Sequence, residues 1–129
     1  MEKSYKALLW DAEKQTFEEV YINDYKDALR FIKCEVLSGW YPYKEVVALV
    51  DDEALINGTV RTSALWFKRD QYLQPIKGNI LFINHETDDD GNTLDITKEQ
   101  IQFVKSIPLI EAVNYIGNKR YNILKVVSE

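Results

Sequence analysis

Cysteine, histidine and methionine are nearly missing from this sequence, each occurring once, as Cys34, His85 and Met1. A lone cysteine excludes a disulfide within the chain, and one cysteine with one histidine cannot supply the N/S ligand set of a structural zinc site. Cys34 follows Phe31 and Ile32 and reads as a small hydrophobe in or near the core. A catalytic thiol needs a base beside it, and nothing in the sequence places His85 there. Glycine-rich phosphate loops and a nucleophile elbow are also lacking, which removes the well-marked nucleotide-binding and hydrolase classes. No apolar run approaches the roughly 20 residues of a membrane span. The run Ala7-Leu8-Leu9-Trp10 is too short for a signal peptide. The expectation is a cytoplasmic protein with no membrane partner, in which Asn57-Gly58-Thr59 serves as a turn.

Basic residues are the minority: 16 against 21 acidic ones, for a net charge of -5. Contact with a phosphate backbone needs clustered cations, and the only adjacent pairs are Lys68-Arg69 and Lys119-Arg120. No direct nucleic-acid binding is expected. The 129 residues, 46% of them hydrophobic, are enough for one domain over 1–129 with its own core. No repeat, linker or low-complexity tract divides them.

Strand and helix signals alternate along the chain. Residues 4–10 read as a strand, 11–16 as a polar turn, and Phe17, Val20 and Ile22 as the returning strand of a hairpin. Asn23 or Asp24 offers a helix cap. Tyr25, Ala28, Leu29, Ile32, Val36 and Leu37 follow at three-to-four spacing, the apolar face of a helix that Ser38-Gly39 would end. Residues 40–43 then read as a loop, the β-branched run 45–50 as a central strand, 54–56 as a short strand and Asn57-Gly58 as its turn. Ala64-Leu65-Trp66-Phe67 fits helix or strand, ending before Pro75. Ile80 to Ile83 is a clear strand. Thr97 and Gln100 form a capping-box pattern opening a helix that carries Ile101 and Val104 and stops at Pro108. Residues 109–116 are ambiguous and 120–127 read as a last strand. The long strand–helix rhythm of a doubly wound fold is missing. The sequence therefore predicts an α+β fold, an antiparallel or mixed sheet with two main helices packed on one face.

Four aromatic residues are candidates for binding a ligand or partner: Trp40, Tyr41, Tyr43 and Trp66. Large aromatics in a loop can wall a pocket or anchor an interface. With Trp10 and Phe67, they would suit a planar ligand such as a nucleotide base. Their alternative role is to seal the edge of the core. Two acidic clusters, Asp51-Asp52-Glu53 and Asp88-Asp89-Asp90, are candidates for an acidic partner surface. Consecutive carboxylates in a turn do not converge for acid–base work. The second cluster partly fits a calcium loop starting at Glu86. Its twelfth position is Thr97, which cannot be a bidentate ligand, so the stretch reads as a solvated turn. No metal, cofactor or catalytic residue is expected. His85, at a strand end, would be the base if the protein were an enzyme, but no partner carboxylate is identifiable.

The run Gly78-Asn79-Ile80-Leu81-Phe82-Ile83, the turn at Asp90-Gly91 and the helix opening at Thr97 to Gln100 resemble a family of uncharacterised small acidic domains. These are encoded by phages, plasmids and conjugative elements. Ser38-Gly39 followed by a strand ending in Asp51-Asp52 extends the resemblance to roughly residues 5–105. The resemblance implies a mobile-element setting and no particular reaction. The leading expectation is a non-enzymatic accessory protein that binds a host protein with a basic surface, such as a defence or nucleic-acid-processing factor. Acidic charge speeds such encounters, and the two acidic clusters would mimic DNA phosphates if they shared a face. A small-ligand module stacking a nucleotide-like base is the alternative. A homodimer through an exposed sheet edge or the tyrosine-rich surface is compatible with the sequence.

Overall fold

Four successive buried residues, Ala7, Leu8, Leu9 and Trp10, run through strand β1 (Tyr5–Asp11). Neighbouring side chains on a strand point to opposite faces, so β1 must be covered on both sides. Its hairpin partner β2 (Thr16–Ile22) returns in the register Trp10↔Phe17. The turn between them forms because the Asp11 carboxylate accepts the Glu13 and Lys14 amides at 2.9 and 3.0 Å, and Gln15 takes a left-handed conformation (φ 58).

The computed structural model describes residues 4–43, 45–52, 62–69, 71–114 and 119–128. Among the described residues, β1 and β2 join β3 (Leu37–Tyr43), β4 (Val46–Asp51) and β7 (Ile80–Asn84) in a sheet of order β2-β1-β7-β4-β3. Every pairing in it is antiparallel. A second sheet has the order β6-β5-β9-β8, from β5 (Thr62–Lys68), β6 (Gln71–Lys77), β8 (Leu109–Asn114) and β9 (Lys119–Ser128). There β5 and β9 run parallel, while β5–β6 and β8–β9 are antiparallel. Among the described residues there are two helices, α1 (Tyr25–Ile32) and α2 (Lys98–Lys105).

Strand alternation sorts the buried residues into two layers. Leu8, Trp10, Val46, Ala48 and Phe82 of the first sheet meet Ala64, Ile76, Leu124 and Val126 of the second, with Ile101 and Val104 of α2. On the opposite face of the first sheet, Ala7, Leu9, Val20, Ile22 and Leu81 pack against Ala28 and Ile32 of α1. The second sheet is thus the main cover of one face, and α1 is the cover of the other.

This corrects the expected α+β fold with two main helices on one face. The protein is mostly β, with 56% strand in two sheets and 15% helix, and its helices are small. They also lie against opposite faces of the first sheet. The three-to-four apolar spacing that extends to Leu37 is not followed by the backbone. Lys33 adopts a left-handed conformation (φ 65), its amide bonding back to the Leu29 carbonyl, and this ends α1. From Leu37 the chain instead pairs with β4, in the register Leu37↔Asp51 to Trp40↔Ala48. Gly39 therefore sits in a strand opposite Leu49 and is not a helix cap, and residues 40–43 belong to that strand rather than to a loop. Pro42 is tolerated because β3 is an edge strand whose register shifts between Trp40 and Tyr43. The ambiguous segment at Ala64 is β5, and residues 109–114 are β8. The strand expected at 54–56 and the turn at Asn57-Gly58 lie outside the described residues.

Candidate functional site: a groove between α2 and the β3–β4 corner

Two buried amide side chains position the start of α2. Thr97 and Gln100 form a reciprocal capping box: the Thr97 hydroxyl accepts the Gln100 amide at 3.1 Å, and Gln100 Oε1 accepts the Thr97 amide at 2.8 Å. Gln100 then uses its Nε2 to donate to the Glu45 carbonyl (2.9 Å) and to Asn84 Oδ1 (3.2 Å). Asn84 donates in turn to the Asp95 carbonyl (3.0 Å) and accepts the Glu86 amide (3.0 Å). The helix is thereby fixed where β4 begins and β7 ends. His85 approaches the same Glu45 carbonyl through Nδ1 at 3.0 Å. A carbonyl only accepts, so that nitrogen carries the proton, and the ring is held by backbone rather than by a carboxylate.

Beside this junction Tyr43, Glu45, Val46, Glu99, Gln100 and Phe103 line an open groove of about 350 Å³. Tyr43 meets Phe103 edge to face, ring centroids 4.6 Å apart at 88°. Phe103 stands on α2 one turn after Glu99, so the two share a stripe of the helix surface, while Ile101 and Val104 point to the core. Phe103 is nonetheless 48% exposed, an aromatic face held at the surface. Burial pushes the Tyr43 hydroxyl above its usual pKa of 10.0, and a backbone hydrogen bond from Val127 acts the other way. Glu45 and Glu99 are exposed. The site therefore combines an aromatic and aliphatic floor with two carboxylate-bearing residues.

Of the four aromatic candidates, Tyr43 alone lines this groove. Trp40 is buried and stacks on half-buried Trp66 between the sheets, centroids 4.8 Å apart. Their facing surfaces are taken up by each other. Tyr41 is 67% exposed on the edge strand β3.

The two acidic clusters are not brought together. Asp51 closes β4 opposite Leu37, and the amide of exposed Asp52 bonds the Val36 carbonyl. Glu53 lies outside the described residues. Asp88, Asp89 and Asp90 follow the end of β7, which pairs with the start of β4 through Val46↔Asn84. Asp51 and Asp52 thus lie at the end of β4 away from the β7 end that Asp88 to Asp90 follow. Asp88 organises its own loop: Oδ1 accepts the amides of Asp90 and Asn92, both at 2.9 Å. Among the described residues no group of three or more His, Cys, Asp or Glu is placed to hold a metal ion.

Glu45, Glu99, Gln100 and Phe103 were not singled out from sequence as site residues. Phe103 carries the available signal, as an aromatic outside the Ile101/Val104 stripe.

Residues 5–107 match the model of a protein family described as a domain of unknown function (DUF3846). That span takes in both helices and strands β1 to β7, and leaves out the β8–β9 hairpin that completes the second sheet. No curated protein and no solved structure matches the chain. No helix among the described residues is long and apolar enough to cross a membrane.

Proposed function

We propose that this chain, which belongs to the DUF3846 family, is a binding protein that engages a basic surface of another protein through the α2 groove. The observation that carries this reading is the Tyr43–Phe103 pair, an aromatic contact held at the surface beside two glutamates. Exposed aromatics set in a fixed scaffold are the usual anchors of protein interfaces. The capping box and the Gln100 bonds to Glu45 and Asn84 supply that scaffold. A net charge of -5 favours a cationic partner and accelerates encounter with it. The acidic loop at 88–90 lies toward the same end of the first sheet as the groove and adds to that field.

The biological setting belongs to the same proposal. The resemblance of the Gly78-to-Ile83 strand and the Thr97–Gln100 helix start to small domains of phages, plasmids and conjugative elements supports an accessory role in the cytoplasm, directed at a host protein.

A photoreactive residue placed at position 103, compared with one at Tyr21 on the distant edge strand β2, tests the reading in host lysate. The expected result is one dominant adduct from position 103, lost in high salt and in the Glu45→Lys/Glu99→Lys variant. Equal labelling from both positions, or no salt-sensitive adduct from position 103, would reject the groove as the interface.

A further inference from the structure

We propose that the groove is an arginine acceptor: it takes the side chain of one arginine displayed by the partner protein, with the guanidinium against the Tyr43–Phe103 pair and within reach of Glu45 and Glu99. This rests on the reading of the groove as a partner-binding site and names the group that enters it.

The argument starts from the lining. Tyr43, Val46 and Phe103 offer aromatic and aliphatic surface, Glu45 and Glu99 carry carboxylates, and among the described residues none that lines the groove is cationic. Phosphate or carboxylate ligands would be repelled by the two glutamates. A purely apolar side chain would desolvate those glutamates with no compensation. A ligand that fits must carry positive charge at its tip and apolar surface along its stem, which describes arginine and lysine.

Geometry separates these two. The guanidinium is planar, stacks on aromatic faces and bonds a carboxylate with two parallel N–H groups, whereas an ammonium is a compact and strongly hydrated point charge. Phe103 meets Tyr43 edge to face at 88°, so the two rings present a corner and not a closed stack. A flat cation can lie along one wall of that corner. Glu99 lies one turn before Phe103 on the same stripe of α2, which puts a carboxylate-bearing residue beside that wall. Lys98 and Lys105 are exposed on the neighbouring stripe and do not line the groove. At about 350 Å³ the space suits one long side chain with a little flanking backbone. The partner is therefore expected to present arginine on an exposed loop or extended segment.

The test uses the full chain labelled with ¹⁵N and three blocked pentapeptides, identical except for arginine, lysine or citrulline at the centre. Citrulline keeps the shape of arginine and removes its charge. The expected result is amide shifts confined to residues 43–46 and 99–103 with the arginine peptide. Binding should be about threefold weaker with lysine and undetectable with citrulline. Phe103→Ala should weaken the arginine peptide to the lysine level, and Glu99→Gln should weaken both. Both substitutions fall on exposed positions, and an unchanged amide spectrum elsewhere certifies the fold. Equal affinity for arginine and lysine, shifts scattered over the acidic surface, or no shift with arginine would each overturn the proposal. If the arginine peptide fails while position 103 still captures a salt-sensitive partner, the arginine assignment falls and the interface stands. If arginine binds at the groove but no partner is captured there, the interface reading falls instead.

Discussion

Trp40, from the edge of the first sheet, and Trp66, from the second, lie with ring centroids 4.8 Å apart and planes inclined at 36°. The pair is a direct link between the two sheets. Trp40 Nε1 is buried with no hydrogen-bond partner among the described residues, and the same is true of Trp10 Nε1. An unpaired buried donor costs about 1–3 kcal/mol. The apolar area of an indole, some 150–250 Å² when buried, offsets that cost.

Substituting Trp40 separates these effects. Trp40→Ala is expected to destabilise the protein by about 3–5 kcal/mol in urea unfolding followed by circular dichroism. Trp40→Phe keeps much of the ring contact and deletes the unpaired N–H, so about 1–2 kcal/mol is expected. If both variants unfold at the urea midpoint of the unsubstituted chain, the stack does not hold the sheets together.

Gln100 is the residue on which the groove depends most. Gln100→Leu removes half of the capping box and strands both Asn84 Oδ1 and the Glu45 carbonyl of one donor. A loss of about 2–3 kcal/mol is expected, with faster amide exchange at Ile101, whose N–H closes the first turn of α2 on Thr97. Thr97→Ala, which deletes only the other half of the box, should cost about 1 kcal/mol. Unchanged exchange at Ile101 in both variants would show that α2 is anchored elsewhere.

Alkaline pH should act through Tyr43. Its folded pKa is raised by burial, so at high pH the native state holds a proton that the unfolded chain releases. The stabilising contribution is complete below the unfolded value near 10 and is lost as pH rises through the higher folded one. The urea midpoint should therefore drop between pH 9 and pH 11 by more in the unsubstituted chain than in Tyr43→Phe. Parallel drops in the two proteins would mean that Tyr43 ionises as freely in the fold as outside it.

Acid pH should act through the start of α1. Asp27 accepts the Asn23 amide at 2.8 Å and the Asp24 amide at 3.3 Å, and Arg30 lies 3.2 Å away. The Asn23 bond first, then that of Asp24 and the Arg30 charge, hold its carboxyl below 3.8. The contribution is present above the unfolded pKa and disappears as pH falls through the lower folded one. A carbon-detected titration should place the Asp27 midpoint below 3.8, and Arg30→Ala should raise it slightly. A midpoint at or above that value would mean that the amide bonds do not persist in solution.

Much of the first sheet is legible in the sequence because its signals are local. The polar turn after Asp11, the β-branched run of β4 and the Thr97–Gln100 box each sit within a few residues. The signal that points away from β3 is also local. The spacing from Tyr25 to Leu37 is a valid helix pattern, and only pairing with β4 shows that the backbone abandons it after Ile32. Pattern alone likewise does not assign Trp66, whose strand pairs with β6 on one side and with β9, far along the chain, on the other. The groove was illegible for a stronger reason. Glu45 and Gln100 are 55 positions apart, and no periodicity connects a strand corner to a helix stripe across that interval. The four aromatic candidates are equivalent as letters, and the fold divides them between the intersheet core, the edge and the groove.

The parallel pairing of β5 with β9 also sets an order in time. Ala64 lies opposite Leu124, so a ribosome making about 5–20 residues per second finishes β5 several seconds before its neighbour exists. During that interval β5 has β6 on one side and nothing from this ladder on the other. An open strand edge is a template for association with other chains. Closing so long a loop also carries an entropic cost that slows the last pairing. The newborn protein is therefore most exposed to misassembly before the β8–β9 hairpin arrives, and the second sheet becomes whole only once β9 has been made.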